Sequence, residues 1–148
     1  MTIVFEMSTD ADIVNTTLNP AWPAVTARHD WAAVRNMNLN IEGGAVIVVL
    51  AHGNNNVIGD AGPAISLNAE TFLASVQGNI QAGQAPGAVY ISTCGKDIAG
   101  FAAGVRICAE NNKVWANTAI FGHHSPVAGP VPPPTPTNLS WVQIYQGR

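Results

Sequence analysis

Two side chains able to do covalent chemistry end two apolar runs. AVIVVLA (Ala45–Ala51) leads directly into His52-Gly53, and GAVYIST (Gly87–Thr93) leads into Cys94-Gly95. A thiol and an imidazole brought face to face form a nucleophile and its acid/base partner. The glycines suit the same chemistry. Gly53 lets the backbone turn its N–H toward a substrate carbonyl, and the N–H of Cys94 can do likewise. Two such donors form an oxyanion hole, in which removing one costs about 3 kcal/mol. A helix beginning near Asp97 would place its positive dipole end beside the thiol and favour the thiolate. The candidate catalytic residues are therefore Cys94 and His52, with Gly53 and Cys94 as oxyanion donors.

These residues need strands to hold them at one edge. Ala45–Ala51 is apolar throughout, as in a strand covered on both faces of a parallel sheet. Thr2–Met7, Gly87–Thr93, Lys113–Phe121 and Ser140–Gln146 also read as strands, the last at an edge. Between them lie helical patterns. Ala21–Met37 is helical in composition, and Asp30 can instead cap a shorter helix carrying Trp31, Val34 and Met37. Asn68 can cap a helix bearing Phe72, Leu73, Val76 and Ile80. Asp97 can cap one bearing Ile98, Phe101, Ala102, Val105 and Cys108, closed by Asn111-Asn112. Ser8–Pro20, Asn54–Leu67 and the proline-rich Ser125–Asn138 read as loops. Alternation of this kind predicts an α/β fold, a three-layer sandwich with a mostly parallel central sheet and helices on both faces. In such sheets ligands sit beyond the carboxyl ends of the strands. If the strands ending in His52 and Cys94 are neighbours, they are about 4.8 Å apart.

The pair AVIVVLAHG and VYISTCG resembles the caspase-like (clan CD) cysteine peptidases. In that family a hydrophobic strand ends in His-Gly and the next core strand ends in the cysteine nucleophile. A following helix often carries a Phe-Ala pair, here Phe101-Ala102. His52 precedes Cys94 by 42 residues, against about 50 in caspases. The resemblance covers residues 45–122. It implies Cys94 as nucleophile, His52 as general acid/base, an oxyanion amide at Gly53 and no cofactor. The partner it implies is a peptide or protein substrate. The residues around Cys94 depart from the caspase pattern: Ser92-Thr93 stand where caspases have Gln-Ala, and the metacaspase acidic residue is missing. Cleavage specificity is therefore not carried over.

Around this pair, Ser92, His123 and His124 are the candidate substrate-binding residues. As metal ligands with His52, His123 and His124 lack close carboxylates and regular ligand spacing, so no metal is expected. Asp60, or a carbonyl in Asn54–Leu67, is the candidate for orienting the imidazole. Cys108 continues an apolar stripe and reads as core. Trp115, Trp141 and Tyr145 read as packing.

Composition narrows the alternatives. The 148 residues suit one domain spanning 1–148. They are 47% hydrophobic and only 10% charged, against a usual ~25% charged. Net charge is −3 with no basic cluster, which argues against nucleic acid as a partner. No run approaches the ~20 apolar residues of a membrane span. MTIVFEMSTDAD lacks the basic start of a secretory signal, so a cytoplasmic chain, or one exported without a signal peptide, is expected. Two other functions fit less of the pattern. One is a non-catalytic caspase-like scaffold. The other is a small α/β-hydrolase esterase, for which Ser92 and Lys96 stand where its nucleophile elbow needs glycine.

Overall fold

The structure, a computed structural model, describes residues 2–18, 20–22, 25–53, 56–60, 65–93, 98–122, 131 and 141–144. In chain order its elements are β1 (Thr2–Glu6), α1 (Ala11–Val14), β2 (Val25–His29), α2 (Trp31–Arg35), β3 (Val46–Gly53), β4 (Ile58–Gly59), β5 (Ser66–Leu67), α3 (Ala69–Gln77), β6 (Ala88–Thr93), α4 (Ile98–Asn111), β7 (Ala119–Gly122) and β8 (Val142–Ile144). The main sheet has the order β2-β1-β3-β6-β7-β8. All its pairings are parallel except that of β8, which runs antiparallel to β7 at the edge. This is an α/β protein with a mostly parallel mixed sheet.

The strands richest in uninterrupted apolar residues take the middle of the sheet. Val46–Ala51 of β3 pair residue by residue with Ala88–Thr93 of β6. Successive side chains of these strands point to opposite faces, so each strand feeds two cores. Ile47, Val49, Val89 and Ile91 pack on one face with Val34 of α2, Phe72 and Val76 of α3, and Phe101 and Val105 of α4. Val48, Leu50 and Tyr90 pack on the other with Ile13 of α1, Trp22 and Val131. Each large apolar side chain buried in this way contributes about 1.5–3 kcal/mol.

The unequal covering follows from the strand order. The chain steps from β1 to β2 in one direction and makes its later parallel crossovers, to β3, β6 and β7, in the other. Right-handed crossovers then put α1 on one face and α2, α3 and α4 on the opposite one. Helices do lie on both faces, but α1 is only four residues long. Aromatic side chains complete its side. Tyr90 stacks on Phe121 with centroids 4.2 Å apart, and Trp22 and Trp141 meet Tyr90 edge-on at 5.1 and 5.0 Å. Trp141, and Trp115 at 2% exposure in the first-face core, thus pack as expected.

Several elements differ from the sequence expectation. The helix expected over Ala21–Met37 is instead the edge strand β2 followed by α2. The alternative start at Asp30 is the one realised, its carboxylate accepting from the Ala33 N–H at 3.0 Å. Ser8–Pro20 contains α1, and Asn54–Leu67 contains β4 and β5. The strand expected from Lys113 begins only at Ala119. Lys113 and Trp115 both adopt φ of 57°, so the chain turns after α4 before it extends. Buried Arg106 on α4 holds that turn, donating to the Trp115 carbonyl at 2.9 Å and to the Thr118 carbonyl. Asn68 caps α3 through the Thr71 N–H at 2.9 Å. The expected cap Asp97 lies outside the described residues.

Candidate active site

His52 is the penultimate residue of β3, at its carboxyl end. Two pairings fix its backbone. On one side β3 runs parallel to β6 with Ala51 opposite Thr93. On the other, His52 pairs with Gly59 and Gly53 with Ile58 in the short antiparallel ladder with β4. The strands carrying His52 and leading to Cys94 are therefore neighbours, in register to their last described pair. Cys94, His123 and His124 themselves lie outside the described residues.

The His52 side chain, 19% exposed, meets two carboxylates. Its Nε2 lies 3.1 Å from Oδ1 and 3.0 Å from Oδ2 of Asp12, and 3.4 Å from Oδ2 of Asp10. Both aspartates follow β1, the neighbour of β3 on the side away from β6. They face His52 because position 52 continues the alternation of Val48 and Leu50 on the face that α1 covers. This is also where the strand order reverses, since β1 lies between β2 and β3. The crevice outside such a reversal is the usual ligand position in open α/β sheets.

The short segment carrying the aspartates is braced from two directions. Asp60, just after β4, accepts from the Ser8 hydroxyl at 2.6 Å, the Thr9 N–H at 2.9 Å and the Thr9 hydroxyl at 3.3 Å. The Asp10 N–H in turn donates to the Ser8 hydroxyl at 3.1 Å. Partial burial pushes the Asp60 carboxyl up, but these hydrogen bonds outweigh it and hold its pKa below the ordinary carboxylate value. On the other side Arg28 of β2 donates to the carbonyls of Thr16 at 2.7 Å, Val14 at 2.9 Å and Ile13 at 3.4 Å. Those carbonyls close the end of α1. Arg28 is itself held by Glu6 of β1, Nε to Oε2 at 2.5 Å.

Two sequence expectations need correction here. Asp60 bonds Ser8 and Thr9, and among the described residues Asp12 and Asp10 are carboxylates that do meet the imidazole. The expectation that His52 lacks close carboxylates also fails, because the two aspartates and the imidazole bring one ligand atom each within 4.8 Å of one another. These are the residues that could hold a cation. The signal for them was Asp10 and Asp12 in the stretch after the first strand, which becomes meaningful only once that strand is known to adjoin the one ending in His52.

Gly53 has a packing reason to be glycine. A Cβ there would stand 2.6 Å from Ile58 Cγ2 and 3.0 Å from the Val57 carbonyl oxygen, so close approach of β4 requires its absence. Ser92 is 6% exposed, opposite Leu50 and on the same face as Tyr90. It lies below the end of β6 rather than in an open cleft. Cys108 on α4 is partly buried against the first-face core, as expected. Compared with models of protein families, curated proteins and solved structures, the chain matches none.

Proposed function

We propose that the chain is a cysteine endopeptidase of the caspase-like type, with Cys94 as nucleophile and His52 as general acid/base. The observation that supports this reading is the register of β3 and β6: Ala51 pairs with Thr93, and the sequence continues from these into His52 and Cys94. Pleat alternation continued one step would turn both side chains to the same face. The Cys94 thiolate attacks the peptide carbonyl carbon, and the resulting oxyanion is held by the amides of Gly53 and Cys94. The imidazolium gives its proton to the departing amine as the C–N bond breaks. Water, deprotonated by the neutral imidazole, then hydrolyses the thioester and restores the thiol.

The substrate is a peptide or protein segment, with Ser92 buttressing the site from below and His123 and His124 as the further residues expected to contact substrate. No cofactor enters the reaction. Nucleic acid is disfavoured as a partner by the scarcity of Lys and Arg, and among the described residues no helix is long and apolar enough to cross a membrane.

Iodoacetamide tests this reading without knowledge of the substrate. In the native protein Cys94 should be alkylated at least about tenfold faster than Cys108, because the thiolate is the reacting species. The substitution His52→Gln should remove most of that difference. Equal labelling of the two cysteines would sink the peptidase and favour the non-catalytic scaffold.

A further inference from the structure

We propose that Asp10 and Asp12 are positioning residues that fix the His52 ring in the tautomer carrying its proton on Nε2. Nδ1 is then the nitrogen that exchanges a proton with Cys94. The first statement stands on the geometry; the second rests on the peptidase reading above.

Both carboxylates approach the same ring nitrogen, at 3.0–3.4 Å. An ionised carboxylate only accepts hydrogen bonds. A bare Nε2 would turn its lone pair toward three acceptor oxygens, whereas a protonated one donates to them. A histidine's tautomer is set by the partner of its protonated nitrogen, and here that partner is supplied in duplicate. The arrangement matches the role of the buried aspartate in a hydrolytic triad, which holds the ring's orientation and tautomer without taking its proton.

The carboxylates are held for this task. Four-residue α1 is too short to be stable alone. Arg28 gathers the carbonyls at its end, and Asp60 ties down Ser8 and Thr9 before it. The backbone that carries the imidazole is fixed independently, through the pairing of His52 with Gly59. The same three donors could instead grip a cation. However, the Asp12 side chain is 63% exposed, and among the described residues no fourth His, Cys, Asp or Glu joins the group.

The test is nitrogen-15 NMR of the imidazole side chains in EDTA-treated protein, with His52→Gln assigning the His52 signals among the four histidines. The expected result is a proton on Nε2 that resonates downfield and exchanges slowly. In the doubly substituted D10A/D12A protein that proton should be lost to rapid exchange. Alkylation of Cys94 should fall about tenfold, part of the roughly hundredfold that a well-placed base supplies. The single variants D10A and D12A carry the same test should the double variant fold poorly.

A ring protonated at Nδ1 with Nε2 bare in the wild type would overturn the proposal. So would an Nε2 proton that survives in D10A/D12A, or a stoichiometric metal ion that leaves Nε2 bare until EDTA removes it. If His52→Gln leaves Cys94 alkylation unchanged, the peptidase reading fails, while the Nε2 proton and its loss still decide the positioning role.

Discussion

The Asp60 carboxylate is the hinge-pin of the segment that reaches His52. Its hydrogen bonds from Ser8 and Thr9 require the ionised form, and they hold its pKa below the ordinary value against the opposing effect of burial. A carboxyl depressed by folding stabilises the native state fully above its unfolded pKa of about 3.9. That contribution fades as pH falls through the lower, folded value, because the unfolded chain then binds more protons. Asp60→Asn should therefore flatten this part of the acid limb. Urea unfolding at about pH 3 and about pH 6 measures it: the wild type should lose more stability between the two than D60N does. Equal losses would mean that Asp60 does not anchor the segment. At the residue scale the sequence exposed His52 and Cys94 because each ends an apolar run. It concealed the carboxylates beside His52 because Asp10 and Asp12 come from the segment after β1, with Asp12 40 positions earlier in the chain. Only the sheet order brings them together.

Among the elements, those with strong burial were legible and those defined by hydrogen bonding were not. Val46–Ala51 and Ala88–Thr93 announce themselves by apolar content, and α3 and α4 by helical spacing. Edge strand β2 is largely exposed, so its residues carry no apolar alternation, and Ala27 and Arg28 read as helix. It is a strand because it pairs with β1, a tertiary cause that overrides composition. Helix α1 gives too few residues for any period. Its stability depends on Arg28, whose partner Glu6 has a side chain only 8% exposed. Arg28→Met should cost about 2 kcal/mol, since it frees charged hydrogen bonds and strands a mostly buried carboxylate. Adding Glu6→Gln should recover part of that loss, a coupling of about 1 kcal/mol in a double-mutant cycle. Hydrogen exchange should quicken at the Val14 and Asn15 amides, which bond to the Asp10 and Ala11 carbonyls. Additive losses, with those amides unchanged, would show that α1 holds itself.

For the molecule as a whole, a single sheet supports two cores of different make. One is conventional, three helices on an apolar face. The other rests on α1 and a set of aromatic rings, with Val131, 1% exposed, joined to it at both backbone groups. Its N–H donates to the Thr17 carbonyl at 2.8 Å, and its carbonyl accepts from Trp22 Nε1 at 3.1 Å. The proline-rich stretch was expected to be a surface loop, yet at Val131 it contributes to this core. Proline content marks a segment as irregular but does not say where it lies. The second core also lies next to His52, since Leu50, two residues before it on the same face of β3, and Ile13, beside Asp12, belong to it. Because β3 and β6 give alternate residues to both cores, neither face can come apart without exposing the shared strands. Trp22→Ala removes a ring that is 6% exposed and touches both Tyr90 and Trp141. It should lower the stability of the entire chain by about 3 kcal/mol. Circular dichroism and tryptophan fluorescence should still report coincident midpoints. A separate early transition in fluorescence, with the far-ultraviolet signal intact, would instead make the aromatic face an independently melting unit, and the site would lose the core beside it before the fold is lost.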